Sequence, residues 1–329
     1  MRGAEVVGDL RQRISAGELE LPRPGEGSTL QRWRALAELT RSNVVLGRLA
    51  EGHADADAIL HELGGSRTWT AAGRDQLWGV WAAEPPRPRL SASRAESGEL
   101  WRLDGTKLWC SGAHHCTHAL VTASVDADPG ASGKRLFAVD LRQPGIRAVP
   151  DSWHAVGMAA SDSGAVEFSD AVAEPVGVPG GYVNRPGFWQ GGIGVAACWY
   201  GGATGVADTL FDQAGRRDDD LTRAHLGAVQ VSLGAAWAVL EQAATAIDED
   251  PKDERGTGKI RAFTARATAE SSAATVIDHV GRALGAGPLC SDPAHAGRVA
   301  DLGVYIRQSH AERDLAELGS LLVEGGSPW

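Results

Sequence analysis

The sequence is poor in several features that would each point to a class of function. No run of basic residues exceeds two or three, and the formal net charge is -10. Nucleic-acid binders carry a basic footprint, and anionic membrane surfaces attract Lys/Arg clusters, so neither is expected as a partner. No apolar run approaches the roughly 18 residues of a transmembrane helix. The first fifteen residues carry Glu5 and Asp9 and lack a continuous apolar stretch, so no secretory signal is expected. The cysteines, Cys110, Cys116, Cys198 and Cys290, are few and mostly far apart. A reduced, cytoplasmic protein without a disulfide framework is expected.

Self-contained catalytic signatures are also missing. There is no Gly-x-Ser-x-Gly elbow and no local Cys/His nucleophile context. His114, His115, Cys116 and His118 follow Cys110, but their spacing does not match paired zinc-ligand runs, and they read as the polar end of a strand. His53, Asp57 and His61 recur every four residues and read as a solvated helix face rather than a metal site. Gly191-Gly192-Ile193-Gly194 and Gly201-Gly202-Ala203-Thr204-Gly205 resemble phosphate loops superficially. Neither follows a strand, so they read as places where a neighbouring helix or a ligand comes close.

What is present is enough for a large core: 329 residues, 43% of them hydrophobic. Helical spacing predicts a short helix over 3–15, another from Ser28 or Thr29 to about residue 50, an interruption at Gly52, and a further helix over 53–63. Pro85, Pro86 and Pro88 end the helical pattern. Short strands are predicted at 99–103, 107–112, 118–124, 135–140, 145–149 and 164–168, separated by turn clusters such as 126–130. After Pro186 four helices are predicted, over about 187–214, 219–247, 256–284 and 293–323. The second is expected to face inward with Leu221, Ala224, Ala228, Val231, Ala235 and Ala238, and to start on Asp218, Asp219 and Asp220, where the helix dipole favours negative charge. The expected fold class is multi-part α+β: a helical subdomain over 1–78, a small antiparallel β-domain over 79–185 and a four-helix bundle over 186–329.

The most informative stretch is Asp104-Gly105-Thr106-Lys107-Leu108-Trp109-Cys110-Ser111-Gly112. Asp104-Gly105 reads as a two-residue hairpin turn. The strand after it sets Lys107, Trp109 and Ser111 on one face and Leu108 and Cys110 on the other. An indole and a hydroxyl two residues apart offer a flat surface and a donor to a planar ring; the plainer reading is a hairpin with a core Trp.

The order of parts and several motifs resemble the acyl-CoA dehydrogenase family of flavoproteins over nearly the whole chain, residues 30–329. Trp81-Ala82-Ala83-Glu84-Pro85 resembles the segment entering that family's β-domain beside the flavin. Leu103 to Gly112 is similar to its flavin-facing strand, where the Trp packs on the isoalloxazine and the hydroxyl bonds near N5. The resemblance therefore implies those roles for Trp109 and Ser111. Gly157 to Asp170 resembles the signature closing the β-domain, with Ala159 where the family often has Arg. Arg223-Ala224-His225-Leu226-Gly227 resembles the turn whose Arg meets the FAD pyrophosphate, typically of a neighbouring subunit, with Leu226 in the aromatic position. A planar guanidinium suits such an anion. Ala283-Leu284-Gly285-Ala286-Gly287 resembles the glycine loop touching the partner's FAD, which implies that role for Gly285 and Gly287.

What the resemblance implies is an FAD-dependent oxidoreductase carrying out α,β-dehydrogenation of an acyl thioester such as an acyl-CoA, or of a related carbonyl substrate, assembled as a homodimer or homotetramer and passing electrons to a partner. One feature departs from it. Where the family places its catalytic Glu, this chain has Ser309 before the last helix or, at the alternative position, Val195. His310, Glu312 and Asp314 are the nearby ionisable groups. His310 is the candidate catalytic base, because imidazole in general titrates near neutrality. The alternatives are a flavin-dependent monooxygenase of the same fold and a non-catalytic member.

Overall fold

The structure, a computed structural model, describes residues 3–86, 89–95, 100–125, 133–216 and 219–325. The chain is mostly helical with a central sheet region, and it forms two units. The expected turn at 126–130 and Asp218 lie outside the described residues, as does Glu99 at the start of the first expected strand.

One unit holds residues 1–21, 49–154 and 159–188. Among the described residues it contains α1 (Gly3–Ser15), most of α3 (Val44–Glu62), seven strands and the single turn α4 (Gly181–Asn184). The strands are β1 (Trp78–Trp81), β2 (Leu90–Arg94), β3 (Trp101–Cys110), β4 (His118–Val125), β5 (Lys134–Asp140), β6 (Ile146–Ala148) and β7 (Gly164–Val176). β4 pairs with β5 on one edge, and β2, β3, β7 and β5 complete a closed ring. The sheet is mixed rather than antiparallel throughout. β1 and then β2 run parallel to β4 along its other edge, because the link through Pro85 and Pro86 continues in one direction instead of reversing.

Strand alternation divides the apolar side chains between two cores. Trp81, Leu103, Cys110, Val121, Phe137 and Phe168 fill the barrel. Leu120, Leu136, Ala138 and Val176 face outward onto Ile59 and Leu60 of α3. Each such buried aliphatic or aromatic side chain contributes roughly 1.5–3 kcal/mol. The predicted hairpin turn at Asp104-Gly105 is absent, and the two strands expected around it are one continuous strand, β3. Gly105 instead lies at a bulge with φ 120°, where a Cβ would come within 2.2 Å of the Arg89 carbonyl oxygen.

The other unit holds residues 22–48, 155–158 and 189–329. It contains α2 (Thr29–Ser42), the first turn of α3, α5 (Pro186–Ala214) from Trp189 on, α6 (Asp220–Glu249), α7 (Gly258–Leu284), α8 (Gly287–Ser291), α9 (Pro293–Tyr305) and α10 (Glu312–Gly325). The break between α2 and α3 falls at Asn43, whose amide caps α2 and whose side chain receives the Leu46 N–H; α3 runs unbroken through Gly52. Ser28 stands at the N-cap position but makes no side-chain cap bond. Asp248 of α6 takes the Thr29 N–H and hydroxyl instead. Asp219 caps α6 through Thr222, as its position suggested.

Two further expectations are corrected. α6 buries Val229, Leu233, Ala236, Leu240 and Ile247, while Leu221 and Val231 are 76% and 75% exposed. Both stripes have helical period, but the one with more large aliphatic side chains removes more apolar area from water. The expected helix over 293–323 is interrupted after Tyr305 by a 3-10 turn, Ile306–Gln308, and by Ala311 at φ 47°.

The glycines of α5 serve close helix packing: a Cβ on Gly201 would lie 2.1 Å from the Ala37 carbonyl oxygen of α2. Gly201→Ala is therefore expected to destabilise the protein by about 1–3 kcal/mol through overpacking. Gly234→Ala, where a Cβ meets only the Gln230 amide at 4.0 Å, is expected to stabilise α6 by up to about 1 kcal/mol. Denaturant melts of the two variants check both signs.

Candidate functional site

Trp109 has φ 57°, a left-handed conformation rare for a bulky residue inside a strand. A bulge in the β3–β7 ladder between Lys107 and Cys110 accommodates it. Simple alternation therefore fails here. Lys107 and Cys110 are buried, and the Trp109 indole is 57% exposed. Such a conformation costs on the order of 1–3 kcal/mol and persists only where surrounding structure imposes it.

That surrounding structure is well defined. The Trp81 indole N–H donates to the Ser111 carbonyl at 3.1 Å, so Trp81 is a buried brace for the strand end. Gly112 N–H donates to the Ser161 carbonyl and Ala113 N–H to the Asp162 carbonyl. The Asp162 carboxylate takes the His114 N–H at 2.7 Å and faces its Nδ1 at 3.0 Å. Ser111, Ser163 and Ser161 form a hydroxyl chain with links of 3.0 and 2.8 Å. Two links use two of the three hydroxyl hydrogens. When Ser161 donates into the chain, the Ser111 hydrogen is left for a ligand. Ser161, Asp162 and Ser163 lie within the Gly157–Asp170 signature but were given no role from sequence; the serine alternation inside that signature was the available signal.

Glu84 is turned toward Lys107, 2.7 Å away, and Thr122. Lys107 is 3% exposed and also donates to the Thr122 carbonyl and hydroxyl, each at 2.8 Å. Burial alone would raise the Glu84 pKa, but bonds from Lys107 and Thr122 and the Lys107 charge hold it below its ordinary value. Burial draws the Lys107 ammonium down, opposed by Glu84.

The expected solvated face on α3 holds only toward its end: His61 is exposed and Asp57 partly buried, but His53 is buried, and burial pushes its pKa down to about 4. His118 is packed between Trp78 and Trp69. No cluster of three or more metal-ligating side chains occurs among the described residues. Nor is any helix among them long and apolar enough to cross a membrane.

In the helical unit, Arg223 lies in the first turn of α6, exposed and 3.0 Å from Asp220, with Leu226 one turn on and half-buried. Gly285 ends α7 at φ 68°, a conformation that favours glycine. At Gly287 a Cβ would meet nothing within 4 Å. His310 is 67% exposed, with Nδ1 3.3 Å from Asp314. Ser309 lines a cavity of about 260 Å³ shared with Glu270, Glu312, Asp314 and Arg266.

Residues 86–171 match the family described as acyl-CoA dehydrogenase, middle domain. A probable short/branched chain specific acyl-CoA dehydrogenase of Dictyostelium discoideum is 33% identical over 127 residues, 36% of this chain and 30% of the relative. The match thus spans less than a third of that relative's length. In structure, the chain is similar to dibenzothiophene monooxygenase TdsC from Paenibacillus sp. A11-2, with TM-score 0.77, 19% identity and coverage of 99% of this chain and 97% of that one. That protein also has an FMN-bound structure. The chain is similar as well to butyryl-CoA dehydrogenase from Megasphaera elsdenii, with TM-score 0.79, 16% identity and coverage of 97% and 89%. The chain is acyl-CoA dehydrogenase-like, in a fold shared by dehydrogenases and flavin monooxygenases.

Because the Glu84 pKa is lower in the folded state, the stability it contributes is present above the ordinary value of 4.5 and is lost as pH falls through the folded value. Glu84→Gln is expected to cost about 3 kcal/mol at pH 7, since it leaves Lys107 buried and unpaired. It also flattens the acid limb of stability against pH, read by urea midpoints between pH 3 and 7.

Proposed function

From an acyl-CoA dehydrogenase-like chain, we propose a flavin-dependent oxidoreductase that carries out α,β-dehydrogenation of an acyl thioester with FAD. The observation that carries this reading is Trp109: an exposed indole, held in a left-handed conformation at a strand bulge, beside Ser111. A bare indole held there at a cost fits a flat ring better than it fits solvent. Trp109 offers the ring an apolar face, and Ser111 offers a hydroxyl hydrogen. Trp81 holds the strand end in place, and Glu84 holds its root through Lys107. Arg223, Leu226, Gly285 and Gly287 are assigned to the diphosphate end of the cofactor of a neighbouring subunit in a homodimer or homotetramer. A bound flavin supplies the acceptor for the hydrogen leaving the β-carbon. His310 removes the α-proton, its imidazole oriented by Asp314, as a base is oriented by a third group elsewhere.

A second reading has its own support. Ser309 and Val195 occupy the two positions where a carboxylate base is expected, and neither side chain accepts a proton at neutral pH. That favours a monooxygenase using reduced flavin and oxygen, the activity that names the Paenibacillus protein.

Anaerobic mixing of the FAD-loaded protein with a panel of acyl-CoAs is expected to bleach the oxidised flavin. Oxygen uptake that requires both reduced flavin and a non-thioester substrate, without bleaching by any acyl-CoA, would establish the second reading instead. Trp109→Ala is expected to weaken flavin binding at least tenfold, and Arg223→Ala to lower retention of FAD but not of FMN, both read by fluorescence titration. His310→Gln is expected to lower the rate of bleaching 10²–10⁴-fold without changing FAD affinity.

A further inference from the structure

A second cavity, of about 160 Å³, lies within the barrel unit and contains neither Trp109 nor Ser111 in its lining. Its walls differ in chemistry. One is charged: Glu84, Lys134 and Arg135, with Thr122 beside them. The other is apolar: Tyr182, Val183 and Phe188 opposite the barrel.

The charges do not cancel. Glu84 is engaged first by Lys107 at 2.7 Å and only then by Lys134 at 3.5 Å. The Arg135 guanidinium donates to the Gly177 carbonyl and lies 5.6 Å from the Trp101 ring centroid. Among the described residues, the Glu84 carboxylate therefore faces two cations, Lys107 and Lys134, and the half-exposed Lys134 ammonium is the more loosely held. An anion entering the cavity meets net positive charge beside low-dielectric walls, where a charge interaction is stronger than in water.

The apolar wall is built rather than incidental. Tyr182 and Phe188 meet edge to face, with centroids 5.5 Å apart. Behind them the buried Arg185 pairs with Glu62 at 2.5 Å and lies 5.3 Å from the Tyr182 ring, while Glu62 also takes the Gly187 N–H. Gly180 N–H donates to the Lys134 carbonyl, which ties the approach to α4 directly to the charged strand. Both walls are thus positioned before any ligand arrives, which lowers the ordering cost of binding. Val183 remains 47% exposed and offers an apolar surface on the same wall. The volume is below the roughly 300 Å³ at which drug-sized pockets begin.

We propose that this cavity is a binding site, separate from the Trp109 surface, for a small amphipathic anion: one ring or short apolar body carrying a single carboxylate-type charge. The charged group meets Lys134, and the apolar body lies against Tyr182 and Phe188. The inference does not depend on the flavin reading, since the one residue shared with it, Glu84, has its carboxylate engaged by Lys107.

Benzoate is the probe, and neutral benzyl alcohol is its control. Both are titrated calorimetrically into the full chain at pH 7, with and without added FAD. Saturable benzoate binding is expected in both states, with benzyl alcohol at least tenfold weaker. Lys134→Ala removes a partly exposed cation and is expected to weaken benzoate at least tenfold with the melting temperature retained. Val183→Trp narrows the cavity without touching its charges and is expected to abolish binding. Trp109→Ala leaves benzoate affinity unchanged. No saturable benzoate binding to the wild type, or binding indifferent to Lys134→Ala and Val183→Trp, would overturn the proposal. So would loss of binding in Trp109→Ala, which would move the anion to the Trp109 surface.

Discussion

An ammonium group buried in a β-barrel must find partners, and the barrel unit is arranged around the partners of Lys107. Its three donor directions go to Glu84, the Thr122 carbonyl and the Thr122 hydroxyl. These come from the segment after β1 and from β4, so one side chain of β3 ties three parts of the barrel together. Removing a charge of this size from water costs several kcal/mol unless it is paired. A register in which Lys107 missed Glu84 would therefore be strongly disfavoured. The anchoring also makes the neighbouring irregularity tolerable. Two residues on, the strand bulges and turns Trp109 outward in a left-handed conformation.

The two candidate small-molecule surfaces of this unit follow from the same anchor. On one side, the braces from Trp81 and from the 161–163 segment keep the indole and the Ser111 hydroxyl at the strand end. On the other, Glu84 balances Lys107 and leaves Lys134 with a weaker hold. In the helical unit the chemistry is less concentrated. Ser309 stands where a carboxylate base is expected, but Asp314, Glu312 and Glu270 line the same cavity as Ser309. His310 contacts Asp314 and is otherwise turned to solvent. Dehydrogenase and monooxygenase readings divide on which of these groups handles a proton.

Much of the architecture was legible beforehand. The periodicity over 3–15, the proline-ended change of period near residue 85 and the small-residue helices after Pro186 correspond to α1, the barrel and α5 to α7. The misreadings share a cause. Asp104-Gly105 has the composition of a turn, yet its glycine serves a bulge against β2. Leu221 and Val231 have the period of a buried stripe, yet a competing stripe buries more area. Gly52 looked like a helix break, yet Asn43 provides the cap. In each case a local signal allowed two outcomes; for Gly105 and the α6 stripe, packing against another segment selected one, and for Gly52 the local cap at Asn43 did.

The sequence by itself located α1, the strands from β4 to β7 and the helices α5 to α7, placed Trp109 and Ser111 near one strand end, and showed that no carboxylate occupies position 309. These follow from short-range propensity, spacing and identity, which need no partner. Tertiary structure alone decided that Trp109 faces out while Lys107 faces in, that Trp81 and Glu84 act as braces, and that Lys134 shares a cavity with Tyr182 and Phe188. Those outcomes depend on desolvating a charge and closing a strand ring. Both bring together residues dozens of positions apart, and no local pattern records them.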